Sequence, residues 1–206
     1  MRYKIIILCL LCVIAFPAIA QQYKAELPYR MIGGKMVVEM KLNGTLRSFI
    51  FDTGASRTTL KGEFCREFGL AVTDSLEVTD ANGRKSFYPL VRVDSIETPD
   101  NVFRFKSVAA MKMPEPSPLA CFPVDGLIGS DLFAQLILVI DGEKKTVTIS
   151  TAEKESTVSL RKMTRFVQAK MPIISVQAGS GHNIVCLFDT GCPRFLSLKE
   201  SDFAAL

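Results

Sequence analysis

The chain has 206 residues, 48% of them apolar, with 25 basic and 21 acidic side chains and a formal charge of +4. That length suits one domain or a domain and a fraction, with apolar residues enough for a real core. A charge so mild and so evenly spread argues against nucleic acid or an anionic membrane as partner.

Met1–Ala20 reads as a secretory signal peptide. Arg2 and Lys4 form a basic start, and Ile5–Phe16 is an apolar run too short to span a bilayer comfortably. Ala18-Ile19-Ala20 is a small-x-small cleavage site that puts the mature start at Gln21. The expectation is an exported protein, periplasmic or extracellular, with no stable membrane insertion after cleavage. Export implies an oxidising compartment. Cys65, Cys121, Cys186 and Cys192 then allow three pairings among which sequence does not choose. Buried free thiols are an equal reading for Cys65 and Cys121. The cysteines lack the close spacing of a zinc site, and the single histidine, His182, falls in a glycine-rich turn. No metal and no cofactor are expected.

Val37–Lys41 alternates apolar and polar, Asn43-Gly44 is a strong hairpin signal, and Leu46–Phe51 is the returning strand. It delivers Phe51-Asp52-Thr53-Gly54-Ala55-Ser56. Thr58–Leu60 reads as a further strand. Gly62–Phe68 reads as a short helix with Phe64 and Phe68 on one face. Leu76–Thr79 and Ser86–Val93 flank Ala81-Asn82-Gly83, a second hairpin with Asn82 and Gly83 at its tip. Val102–Met111 is a strand candidate. Four prolines make Met113–Pro123 an irregular loop. Leu127-Ile128-Gly129 follows, and then Ser130 or Asp131 as the cap of a short helix reaching about Gln135. Leu136–Ile140 and Thr146–Ser150 form a hairpin around Asp141-Gly142.

Thr151–Thr157 is polar and charged, and reads as a linker. Beyond it the first pattern restarts. Ile173–Gln177 and Ile184–Phe188 are strands, and the second ends in Phe188-Asp189-Thr190-Gly191-Cys192-Pro193. A carboxylate at the end of an apolar strand is costly unless paired or hydrogen-bonded. A glycine two residues on lets the backbone turn back toward it. A single Asp-Thr-Gly is also an ordinary turn. Two copies, each after Phe and an apolar strand and each followed by Arg (Arg57, Arg194), point to a pair of acids instead.

These residues resemble the aspartic peptidases, the retropepsin-like group most closely. Phe-Asp-Thr-Gly-Ala-Ser is similar to that family's active-site loop. Leu127-Ile128-Gly129 is similar to its hydrophobic-hydrophobic-Gly element, and the hairpin tipped by Asn82 and Gly83 stands where the family has its flap. The resemblance implies an all-β fold: a closed, barrel-like lobe over residues 21–150 with one short helix, a linker over 151–157, and an incomplete second lobe over 158–206. It implies an endopeptidase that activates water between two aspartates, Asp52 with Asp189 or with Asp52 of a second chain in a homodimer. One carboxyl takes a proton from water while the other donates one, and two carboxyls in contact share a proton. Thr53 and Thr190 would tie the loops together, and Gly54 and Gly191 would supply backbone donors. A peptide or protein substrate would lie extended beneath the flap. Two departures stand out. Ala55 replaces a hydroxyl, so fewer donors to Asp52 suggest a less acidic optimum than pepsin's. Cys192-Pro193 replaces a small residue and a hydroxyl, which weakens the case for Asp189. A peptide-binding module without catalysis, or an inactive truncated product, is the alternative reading.

Overall fold

The computed structural model describes residues 23–79, 83–151, 172–178, 181–194, 197 and 200. The expected signal peptide, most of the expected linker, and Asn82 lie outside the described residues.

The elements, in chain order, are β1 (Lys24–Ile32), β2 (Lys35–Leu42), β3 (Thr45–Phe51), β4 (Thr59–Leu60), helix α1 (Gly62–Glu67), β5 (Val72–Thr79), β6 (Lys85–Glu97), β7 (Arg104–Lys112), β8 (Gly126–Ile128), a single 3-10 turn (Ser130–Phe133), β9 (Ile137–Asp141) and β10 (Thr146–Ser150). β11 (Ile173–Ala178) and β12 (His182–Leu187) follow. Among the elements described over residues 23–194 the fold is mostly β with one short α-helix, as expected. His182 is the first residue of β12, its backbone paired with Ala178, and not part of the turn.

Ten strands form one sheet in the order β5-β6-β7-β4-β8-β3-β2-β1-β10-β9. A further pairing joins β6 to β2, with Leu42 opposite Ile96. The strands from β2 round to β6 therefore make a closed circuit, which leaves them without free edges. β11 and β12 form a separate two-stranded sheet.

The core follows from the alternation. Val38, Met40 and Leu42 of β2 face inward with Phe49 and Phe51 of β3, all essentially buried. Each such side chain removed from water contributes about 1.5–3 kcal/mol. Phe51 lies 5.5 Å from Phe133, which meets Phe105 edge-on at 5.8 Å, so an aromatic group fills the space beneath the strand that carries Asp52. Val37 and Ile50, on the other face, are also buried, against Val124 with Phe122, Leu119 and Leu127 alongside. The proline-rich loop supplies that second cover.

β1 is weakly marked in the sequence. Ala25 and Leu27 alternate inward there, but Pro28 interrupts the pattern. Pro28 is the last residue paired with β10, and Tyr29 the first paired with β2. The proline thus sits at the change of ladder.

Candidate active site

β3 runs parallel to β8, with Phe51 beside Ile128. β4 runs antiparallel to the same short strand, with Thr59 beside Leu127. β8 therefore grips both stems of the loop that carries Asp52. The backbone N–H of Asp52 donates to the Ile128 carbonyl at 3.0 Å. Gly129 is required by contact, since a side chain there would run into the backbone of Arg57 and Thr58.

Ser130 and Asp131 do not cap the turn that follows. Gly129 occupies the cap position, with no side-chain cap hydrogen bond. The Ser130 hydroxyl instead donates to the Ala55 carbonyl at 3.0 Å, beside the Ser130 N–H at 2.9 Å. Asp131 Oδ1 accepts the Thr58 N–H at 2.8 Å and the Thr58 hydroxyl at 2.9 Å. Thr58 Oγ1 accepts the Gly129 N–H in turn. Burial holds the Asp131 carboxyl above its ordinary range, against the lowering effect of the Thr58 bonds. An aspartate beside a turn reads as a cap from sequence, and the tertiary partner that claims it lies 73 residues away.

The structure brings the two Asp-Thr-Gly loops together within one chain. Thr53 N–H donates to Thr190 Oγ1 at 3.0 Å, and Thr190 N–H donates to Thr53 Oγ1 at 3.1 Å. Each hydroxyl then donates onward across the junction, Thr53 to the Phe188 carbonyl at 2.6 Å and Thr190 to the Phe51 carbonyl at 2.8 Å. The arrangement is an approximate two-fold.

The acids obey the same symmetry. Asp52 Oδ1 accepts the N–H groups of Gly54 at 2.9 Å and Ala55 at 3.0 Å. Asp189 Oδ1 accepts that of Gly191 at 2.7 Å. A side chain at Gly54 would strike the carboxylate of Asp189, and one at Gly191 that of Asp52. Each carboxylate thus lies over the other loop's glycine. Burial first, and the charge of Asp189 second, push the Asp52 carboxyl up to about 6, while the amides of Ala55 and Gly54 pull it down. The physical cause differs from the one inferred from sequence. Ala55 contributes its own backbone donor, and desolvation governs the direction.

Ser56 is half-buried on the same loop, and Gly83 sits exposed at the tip of the β5–β6 hairpin. Cys65, Cys121, Cys186 and Cys192 are all free thiols, so none of the three pairings occurs. Cys65 is buried, but Cys121 is exposed, contrary to the buried reading. Among the described residues no group of three His, Cys, Asp or Glu is disposed to hold a metal.

Residues 38–132, which include the Asp52 loop and Leu127-Ile128-Gly129, match the family model described as aspartyl protease. Over that stretch, a little under half of its length, the chain is similar to the aspartyl proteases. It is similar to the crystal structure of a retropepsin-like aspartic protease from Rickettsia conorii, at 20% identity and a TM-score of 0.45 over 64% of this chain and 94% of that one. It is also similar to the crystal structure of edgp, at 11% identity and a TM-score of 0.46 over 84% of this chain and 58% of that one. No curated protein matches the chain. The family model stops short of the second acid, so Asp189 and Thr190 are placed beside the first loop by the hydrogen bonds above.

Proposed function

We propose that this chain is an exported aspartic endopeptidase in which Asp52 and Asp189 share one proton and activate water between them. The observation that carries the reading is the reciprocal packing of each carboxylate on the other loop's glycine, locked by the paired Thr53 and Thr190 bonds. Two carboxyls so placed cannot both ionise, and the raised carboxyl of Asp52 agrees with a shared proton at mildly acidic pH. The ionised partner takes a proton from the attacking water. The protonated one donates to the substrate carbonyl oxygen and then to the leaving amine.

The seating of the Asp189 carboxylate over Gly54 favours a dyad made within one chain over one made between two copies. Thr53, Gly54 and Ala55 with Thr190 and Gly191 orient the acids, and Leu127-Ile128-Gly129 with Ser56 belongs to the supporting loop. The β5–β6 hairpin around Gly83 would lie over an extended peptide as a flap. Export follows from Met1–Ala20 read as a cleaved leader. The test is digestion of an unstructured protein by the chain and by Asp52→Asn. Cleavage that disappears in the variant supports the reading. No cleavage by the unaltered chain at any pH between 3 and 7 refutes it.

A further inference from the structure

β1 and β2 are joined through Gly33 and Gly34, and this turn reaches the second acid loop. Gly34 lies against Pro193, and the Lys35 ammonium donates to the Gly191 carbonyl. Gly191 is the residue whose Cα faces the Asp52 carboxylate and whose N–H holds Asp189. Standard bond lengths then put the Lys35 ammonium within about 9 Å of Asp52. That upper bound is comparable with the screening length of about 8 Å in physiological salt, and a group lying across the acids can come nearer to the ammonium than Asp52 does.

Lys24, Lys85, Lys112 and Lys144 each have a carboxylate partner. Lys35 has none within 4.0 Å among the described residues, although its side chain is half-buried. Among the described residues its charge is met only by a neutral carbonyl. An ammonium has three donors, so two remain after the Gly191 bond. A half-buried cation without a counter-ion, beside two catalytic candidates, is poised for a carboxylate that arrives with the substrate.

We propose that Lys35 is a specificity-determining residue that favours peptides carrying a carboxylate side chain on one side of the scissile bond. The proposal rests on the proteolytic reading above and names a substrate class for it. The test compares kcat/KM for paired unstructured peptides that differ only by Glu or Gln, placed in turn on each side of the cleaved bond, at about pH 5.5 where glutamate is ionised. The Glu-to-Gln ratio is read within one enzyme sample, so it does not depend on how much of a variant is folded. The expected ratio is about 5 to 10 on one side and near 1 on the other. It falls to about 1 in Lys35→Met, below 1 in Lys35→Glu, persists in Lys35→Arg, and shrinks with added salt. Cleavage with no Glu preference, or a preference unchanged in Lys35→Met, overturns the role of Lys35 and leaves the protease standing. Cleavage of neither peptide removes the protease reading and the proposal together.

Discussion

The hydroxyl of Thr53 accepts the backbone N–H of Thr190 while the hydroxyl of Thr190 accepts that of Thr53. Each side chain thereby serves both as acceptor from the opposite loop and as donor to the strand end behind it. Removing one hydroxyl orphans an amide and a carbonyl at once. Thr53→Val or Thr190→Val is expected to cost about 1–3 kcal/mol in urea unfolding. The double variant should cost less than the sum, because the two bonds share partners. Thr190→Ser, which keeps the hydroxyl, should retain most of the stability.

Asp52→Asn and Asp189→Asn should each lower kcat by a factor of about 100 to 10,000, the range for loss of a general acid or base. Far-ultraviolet circular dichroism should stay unchanged. An Asp189→Asn variant of full activity would show that the second acid is an ornament of the loop.

The carboxyl of Asp52 sits near 6, above its ordinary 3.8, chiefly through burial. Activity is expected to fall as pH rises past about 6, when the shared proton is lost. Stability moves in the same sense. Between about pH 4 and 6 the folded chain holds a proton that the unfolded chain has released, so stability declines as pH rises and levels off above that window. Asp52→Asn, which has no charge to desolvate, should therefore unfold at a higher temperature than the unaltered chain at pH 7. At pH 4 the two should differ little.

Thr58 is wholly buried, and Asp131 accepts both its N–H and its hydroxyl. Asp131→Ala should destabilise by about 2–3 kcal/mol, since a buried amide loses its only acceptor there. Asp131→Asn keeps an oxygen in place and should cost less. Thermal unfolding of the two variants side by side distinguishes them.

The four described cysteines are free, with Cys121 exposed and Cys65 buried. Burial pushes the Cys65 thiol up to about 11. Under native conditions a thiol reagent should label Cys121 quickly, while Cys65 waits for denaturant. The mobility of the chain on a gel should not change with reductant.

Much of this arrangement was legible in the residues, because local rules decided it. Asn43-Gly44 turns where that pair is expected to, and the alternation of Val38, Met40 and Leu42 names the core face directly. The helix expected over Gly62–Phe68 ends one residue earlier, at Glu67. What could not be read is set by distant partners. The grip of β8 on β3 and β4 joins segments about 70 residues apart, and no turn signal encodes it. Ser130 and Asp131 look like caps because short polar side chains serve caps and loops equally well. Their use was decided by Ala55 and Thr58. The doubt raised by Cys192-Pro193 over the second acid weighed the missing hydroxyl. It could not weigh the Thr190 bonds that bring Asp189 in.

Among the described residues, Asp52 follows a strand of a ten-stranded sheet part of which closes on itself, whereas Asp189 follows a ribbon of two strands. A lone hairpin is marginal in water, so the halves of the dyad draw on unequal reserves of rigidity. Gentle denaturation should unseat the ribbon first, extinguishing turnover while hydrogen exchange in β2 and β3 remains slow. In such a molecule the durability of the fold and the durability of its chemistry are two different properties, and the weaker hairpin sets the second.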